Sequence, residues 1–382
     1  MLADEVHPAG GRPDPDRVAS MLFRKSSVSK INIVVAHARH SSQNRALRLS
    51  TGWHIYAEVM LAAYAASSNA FDPLSCLEVG DIEPPPVPDG WIEVTIRAAA
   101  LNHHDVWSLR GVGLPADLLP MILGCDCAGV TPDGREVLVH AVINDPDFVG
   151  ADSTYDPKRS LLSERYPGTF ATHVRVPSGN VIDKPPELSF REAACLPTAW
   201  LTAYRMLFSQ SALQPGHTVL IQGAGGGVST ALTVLAREAG FRVWVTSRDG
   251  GRVARAVDLG AHQGFPSGAR LPERVDAVME TVGAATWSHS INALKPGGTL
   301  VISGTTSGDS PAKAELRKIF FKPLRIIGST MGTREELISL TRMLVITGAR
   351  PVIDRILPLS QAHDGFAAMI SGNVFGKIIF EP

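Results

Sequence analysis

The sequence predicts an α/β protein in two parts, and three observations carry that expectation. Past residue 192, apolar strand runs alternate with helical runs, the pattern of a parallel sheet covered on both faces. Between residues 60 and 184 the runs are shorter, β-like, and bounded by Pro, Gly and Asp. A glycine cluster at 223–227 lies between an apolar strand and a helix. At 382 residues the chain is long enough for each part to bury its own core.

The elements follow in order from Met60, where M-L-A-A-Y-A reads as an opening strand. Further short strands are expected at Trp91–Arg97, Val137–Val142 and Ala171–Val176, and Pro84, Pro85, Pro86 and Pro88 mark an exposed loop before the first of these. In the second part, strands are expected at Val219–Gln222, Arg242–Thr246, Ala277–Glu280, Thr299–Ser303 and Arg325–Gly328. Helices are expected over 228–239, 250–259, 284–294, 312–320 and 334–347. The last segment, Val352–Leu357 with Gly376–Phe380, reads as strand and is expected to rejoin the first part. The expected division is therefore 60–190, 191–335 and a returning segment 336–382.

The glycine cluster is the most informative stretch. A buried strand (Val219, Leu220, Ile221) leads into Gly223, Gly225, Gly226 and Gly227, and a helix opens at Val228. Glycines let the backbone turn tightly and come close to phosphates, while the helix N-terminus offers unpaired N–H groups and a positive dipole end. The strict G-x-G-x-x-G spacing fails, because its last position is Val228; a small residue for helix–strand packing arrives one place later, at Ser229. Strand, glycines, helix and second strand in sequence form a Rossmann βαβ half, with Gly223, Gly225, Gly226, Gly227 and Val228 as dinucleotide contacts.

The end of the second strand bears on which dinucleotide. An NAD site places an acidic residue there, roughly 20 residues past the glycines. This chain has Thr246, Ser247 and Arg248, with Arg252 one helical turn on. A hydroxyl and two guanidiniums suit a 2′-phosphate, so NADP(H) is the expected cofactor. Asp249 is a counterweight, and the alternative is that Arg248 and Arg252 are solvated surface residues.

Composition excludes other classes. Lys plus Arg total 36 against 37 for Asp plus Glu, which gives no attraction to nucleic acid or an anionic membrane. No apolar stretch reaches transmembrane length. Cys76, Cys125, Cys127 and Cys195 are too few and too scattered for a disulfide framework, so a cytoplasmic location is expected. Residues 1–59 are rich in basic, Ser and His residues and are expected to form a poorly ordered extension. Asp4, Glu5, Asp14 and Asp16 argue against a transit peptide.

Several segments occur together in an order that resembles the medium-chain dehydrogenase/reductase superfamily, in its zinc-free, quinone-oxidoreductase-like and enoyl-reductase-type branch. They are A-A-A-L-N-H-H-D-V-W-S-L-R-G (98–111), L-G-C-D-C-A-G-V (123–130) and A-A-C-L-P-T-A-W-L-T-A-Y (193–204). The glycine motif, L-K-P-G-G-T-L-V-I-S-G (294–304), R-I-I-G-S-T-M-G-T (325–333) and G-K-I-I-F (376–380) complete the set. The resemblance implies a GroES-like, mostly β catalytic domain beside the Rossmann domain, with the nicotinamide in the cleft between them. It implies cofactor contacts from Thr202, Gly304 and Thr305. Lys377 is similar to a lysine that reaches the cofactor phosphates, or else caps the last strand. By analogy the resemblance also implies a homodimer paired through the Rossmann domains.

Zinc-dependent members of that superfamily supply a Cys, a His and a third Cys or Asp. At the matching positions this chain has Asn102, Cys125 and approximately Pro197, so no catalytic zinc is expected at the inherited site. The structural-zinc loop is also absent, since residues 144–170 contain no cysteine. A non-standard metal site from His103, His104, Asp105, Cys125, Asp126 and Cys127 is the alternative to a plain polar cleft wall; on a strand His103 and His104 would face opposite sides.

Without a Lewis acid, the expected chemistry is hydride delivery to a small-molecule acceptor: a quinone, an α,β-unsaturated carbonyl or an aldehyde. Asn102 and His104 are the expected catalytic residues, the first orienting substrate or nicotinamide, the second donating a proton or hydrogen bond to the developing enolate. Asp105 and Arg110 are expected to form an ion pair or a cap. Tyr155 and Tyr166 either contact substrate or pack in their loop. Two alternatives stand beside this reading: an alcohol dehydrogenase using zinc through altered ligands, and a non-enzymatic NADP-binding redox sensor.

Overall fold

The computed structural model describes residues 45–48, 54–57 and 59–382. The extension expected over residues 1–59 lies otherwise outside the described residues; within it, Arg45–Arg48 and His54–Ala57 pair antiparallel. Met60–Pro382 forms one compact unit containing two large sheets.

The first sheet is mainly antiparallel. Trp91–Ala100 lies at its centre, paired with Asp126–Val130, with His173–Pro177 and with the last strand, Lys377–Glu381. Ile353–Pro358 then pairs parallel with that last strand, so the final segment joins the sheet built on Trp91–Ala100. A three-stranded sheet, Leu77–Ile82, Met60–Ala65 and Met121–Ile122, packs beside it. Phe170, Phe366 and Phe380 meet edge-to-face and stacked in the core between them, an arrangement that adds to their area burial.

The second sheet is fully parallel, six strands in the order Gln263–Pro266, Arg242–Ser247, Thr218–Ile221, Val275–Glu280, Leu294–Ile302 and Arg325–Gly328. This is the doubly wound dinucleotide order, with its switch point between Thr218–Ile221 and Val275–Glu280. Its central strands are buried on both faces, which is why they read as mainly apolar runs rather than alternating ones.

The expected elements differ from the observed ones in identifiable ways. The strand expected at Val137–Val142 is two strands, Glu136–Val139 and Val142–Ile143, because His140 N–H bonds to Asn180 O between them. The edge strand Gln263–Pro266 was not expected: Gly and Pro within four residues signal a turn, and only pairing with Trp244–Ser247 makes it a strand. Helix Ala362–Ile370 was also not expected, in the connection between the last two strands. All four cysteines are buried thiols. No described helix is long and apolar enough to cross a membrane.

Candidate active site

The glycine loop lies at the C-terminal end of strand Thr218–Ile221, beside the switch point. Gly223 and Gly225 adopt φ of +77° and +108°, conformations that a residue with a Cβ adopts only with strain. A Cβ on Gly225 would meet Phe375 at 3.1 Å and Arg252 at 3.3 Å; one on Gly227 would meet Lys377 at 3.0 Å. The loop is thus a backbone cradle with little room for a Cβ at Gly223, Gly225 and Gly227. Helix Gly227–Glu238 follows with Gly226 as its cap, aiming the first-turn N–H groups at the loop's concave side. Ser229 turns its hydroxyl back onto Gly226 O at 3.0 Å, stabilising the turn where a third glycine would have allowed close packing.

At the end of the second strand, Ser247 is buried and Arg248 exposed. Asp249 caps the next helix, Gly250–Asp258, accepting from the N–H groups of Gly251 and Arg252. Its carboxylate is thereby committed to the helix N-terminus, which weakens it as a counterweight to a bound phosphate. Arg252 donates to the carbonyls of Gly372 and Val374 while lying against Gly225, so it straps the chain's last loop to the glycine loop. Gly376 N–H completes the strap with a 2.9 Å bond to Gly225 O, and Arg255 stacks on Phe375 at 4.0 Å. Gly304 and Thr305 follow strand Leu294–Ile302 and pack on the 281–283 loop at the same end of the sheet. Thr202 is buried on the short helix Leu201–Tyr204, which packs on helix Gly227–Glu238.

The wall contributed by the first sheet is organised around Lys377. Its ammonium is 2.5 Å from Asn102 Oδ1, 2.9 Å from Leu101 O and 3.1 Å from Asp126 Oδ2. Asn102 Nδ2 donates to the same Asp126 oxygen at 2.8 Å and to Ala100 O at 3.2 Å. Lys377 is 2 % exposed and Asp126 wholly buried. Burial pushes the Asp126 carboxyl up, against the pull of the Lys377 ammonium and the Asn102 amide. Thr198 lies near this carboxyl, but its hydroxyl and Asp126 Oδ1 do not reach hydrogen-bond geometry.

Lys377 therefore spends its charge inside the wall, and neither expected role, phosphate ligand nor simple strand cap, describes its contacts. Asn102 likewise has both ends of its amide engaged. A cation at the inherited metal position would lie against an ammonium, and Pro197, buried in the Leu196–Trp200 turn, offers no side-chain donor. The residues present do not fit the family's zinc.

A second cluster lies one helical turn away. His103 and His104 open helix His103–Leu109 instead of lying on a strand. Asp105 caps this helix, accepting from Asn102 N–H at 2.8 Å and from Gly124 N–H at 3.2 Å. The cap is as expected. The ion pair with Arg110 is not: Arg110 lies over the Trp107 ring at 4.9 Å. His104 is held at both ring nitrogens, by Glu164 Oε1 at 3.0 Å and by Cys125 Sγ at 3.3 Å. Burial alone would lower this imidazole, yet Cys125, Asp105 and Glu164 outweigh it and hold His104 well above the usual histidine range. Burial also pushes the Cys125 thiol up, against the pull of the His104 imidazole beside it.

Glu164 was not anticipated, and no signal near His104 could have pointed to it. It is 60 residues away in sequence, brought in by a turn in which Ser163 takes φ of +68°. Of the two loop tyrosines, Tyr166 packs on Trp91 at 5.1 Å and Tyr155 is exposed.

Comparison with known proteins fits this geometry. A family model described as zinc-binding dehydrogenase matches residues 227–345. The chain is 29 % identical to the zinc-type alcohol dehydrogenase-like protein YogA of Leptosphaeria maculans, over 78 % of this chain and 92 % of that one. It is 26 % identical to an acryloyl-coenzyme A reductase of Metallosphaera sedula, over 79 % and 95 %. A solved NAD-dependent alcohol dehydrogenase superposes with a TM-score of 0.78 at 30 % identity, over 85 % of this chain and all of that one. The fold and site define a dinucleotide-binding oxidoreductase. The chain belongs to the medium-chain dehydrogenase/reductase superfamily.

Proposed function

We propose that the protein transfers hydride from NADPH to the β-carbon of an α,β-unsaturated carbonyl, or to a quinone, without a catalytic zinc. The observation that carries this reading is the Asn102–Asp126–Lys377 cluster, which fills with hydrogen bonds the wall where the zinc-dependent members place metal ligands. The likeness to an acryloyl-coenzyme A reductase supports the enone class.

In this reading the glycine loop and the first turn of helix Gly227–Glu238 hold the pyrophosphate, with Thr202, Gly304 and Thr305 toward the nicotinamide end. Ser247 and Arg248 face the 2′-phosphate, and Arg252 holds the loop behind it in shape. The bound nicotinamide supplies the hydride. The chain's own task is orientation and charge. Asn102, fixed by Lys377, orients what lies against the wall, and His104 with Glu164 forms a proton-holding pair at the cleft side. A proton passes from this pair or from water to the α-carbon as the enolate collapses.

A homodimer accompanies this reading. The outer side of strand Arg325–Gly328 has no strand partner among the described residues, and Leu316, Phe320, Phe321 and Ile326 are exposed beside it. A second copy would continue the sheet and cover them. A reducing cytoplasm fits the four buried thiols. The experiment is NADPH oxidation by purified protein against a panel of enones, quinones and aldehydes. Turnover with enones or quinones supports the reading; turnover confined to aldehydes, or none with any acceptor, overturns it.

A further inference from the structure

His104 Nδ1, Asp105 Oδ1 and Cys125 Sγ all lie within 4.8 Å of one another. The sulfur is 3.3 Å from Nδ1, and Oδ1 is 3.9 Å from it. Ligand atoms around a tetrahedral cation bound at about 2.0–2.3 Å stand roughly 3.3–3.8 Å apart, so the sulfur and Nδ1 already have that spacing and Asp105 Oδ1 must close in to complete one face of such a site. The far nitrogen of the same imidazole, Nε2, meets the Glu164 carboxylate at 3.0 Å. A carboxylate behind a histidine fixes the ring's tautomer and raises its basicity toward a metal. On the sulfur's other side the buried Ser163 hydroxyl lies at 3.6 Å, an oxygen within reach of the fourth position.

We propose that His104, Asp105 and Cys125 bind one divalent cation of the zinc class, with Glu164 orienting the histidine. One thiolate, one imidazole and one carboxylate select a borderline cation over magnesium or calcium, which take oxygen ligands alone. The thiolate and carboxylate together balance its two charges. This ligand set is not the one inherited in the superfamily: it shares only Cys125 with those positions, and Asn102 and Pro197 take no part. The cation would pin the start of helix His103–Leu109 to Cys125, whose sulfur already lies 3.2 Å from Leu162 O of the 160–166 turn. With the cation on Nδ1, His104 would pass no proton and water would supply it; the hydride step itself does not depend on the cation, and NADPH oxidation does not test it.

Cobalt(II) is the probe, added to full-length protein previously stripped with a chelator. The expected result is one cobalt per chain, with a sulfur-to-cobalt charge-transfer band in the near ultraviolet and tetrahedral bands in the visible, all displaced by zinc. Cys125→Ser should lose the near-ultraviolet band, and Glu164→Gln should keep it while weakening affinity about 10–100-fold. No band in the wild-type protein overturns the proposal, as does a band that survives Cys125→Ser. Should Cys125→Ser fail to fold, Glu164→Gln decides alone: an unchanged affinity overturns the proposal.

Discussion

The glycine loop and the Asn102 wall meet at Lys377, yet they were built under different constraints. The loop works through its backbone: Gly223 and Gly225 at positive φ, a helix N-terminus, and little space for a Cβ at Gly223, Gly225 or Gly227. Its chemistry is written in local sequence because each glycine answers a local steric demand. The wall is all side chain. Asn102, Asp126 and Lys377 come from positions as far apart as 275 residues, and each matters through the other two. Lys377 joins the regions: its stem touches Gly227 and its ammonium closes the wall.

The largest expected effect breaks that join. Lys377→Met leaves Asp126 buried without its partner and should cost about 3–5 kcal/mol in denaturant unfolding. Adding Asp126→Asn to it should recover part of the loss; simple additivity of the two would mean the ion pair is not coupled as described.

Next comes the cradle itself. Gly225→Ala forces a Cβ into positive φ against Phe375, a strain of about 1–3 kcal/mol, and NADPH titration by fluorescence should show binding weakened about 10-fold or more. Equal affinity would mean that the loop does not hold the pyrophosphate.

A smaller shift is expected at the ribose. Ser247→Asp with Arg248→Ala should move preference toward NADH by roughly tenfold, about 1.4 kcal/mol, read as the ratio of kcat/KM values. An unchanged ratio would assign those residues to solvent.

The smallest effect concerns pH. His140 is buried, its Nε2–H donates to Gly332 O across 3.0 Å, and burial lowers its pKa. The unfolded chain takes up a proton near pH 6.5 that the native state resists, so stability is fully present above that pH and declines as pH falls below it. His140→Gln should flatten the acid side of the stability profile. An unaltered slope would show that His140 does not set it.

The same contrast explains what was legible in the sequence. The parallel sheet, its helices and the glycine turn follow from periodicity and from glycines at fixed offsets, and their positions differ from expectation by a few residues at most. The strand Gln263–Pro266 was hidden because its own residues favour a turn, and pairing overrides them. Asn102 was recognisable as a site residue only through resemblance, and its partners Asp126 and Lys377 were not legible as a pair. Glu164 and the 372–376 strap were invisible, because a turn at Ser163 and carbonyls accepting from Arg252 leave no trace in residue type. Contacts made by backbone carbonyls and by distant loops are properties of the folded chain.

The proposed reaction delivers hydride to the β-carbon of the enone, past a wall closed by Asn102, Asp126 and Lys377, and not to the carbonyl carbon. Reaction of an α,β-unsaturated ketone with NADPH deuterated at C4 of the nicotinamide tests it directly. The account predicts the saturated ketone with deuterium on the β-carbon; an allylic alcohol with deuterium on the carbonyl carbon would contradict it.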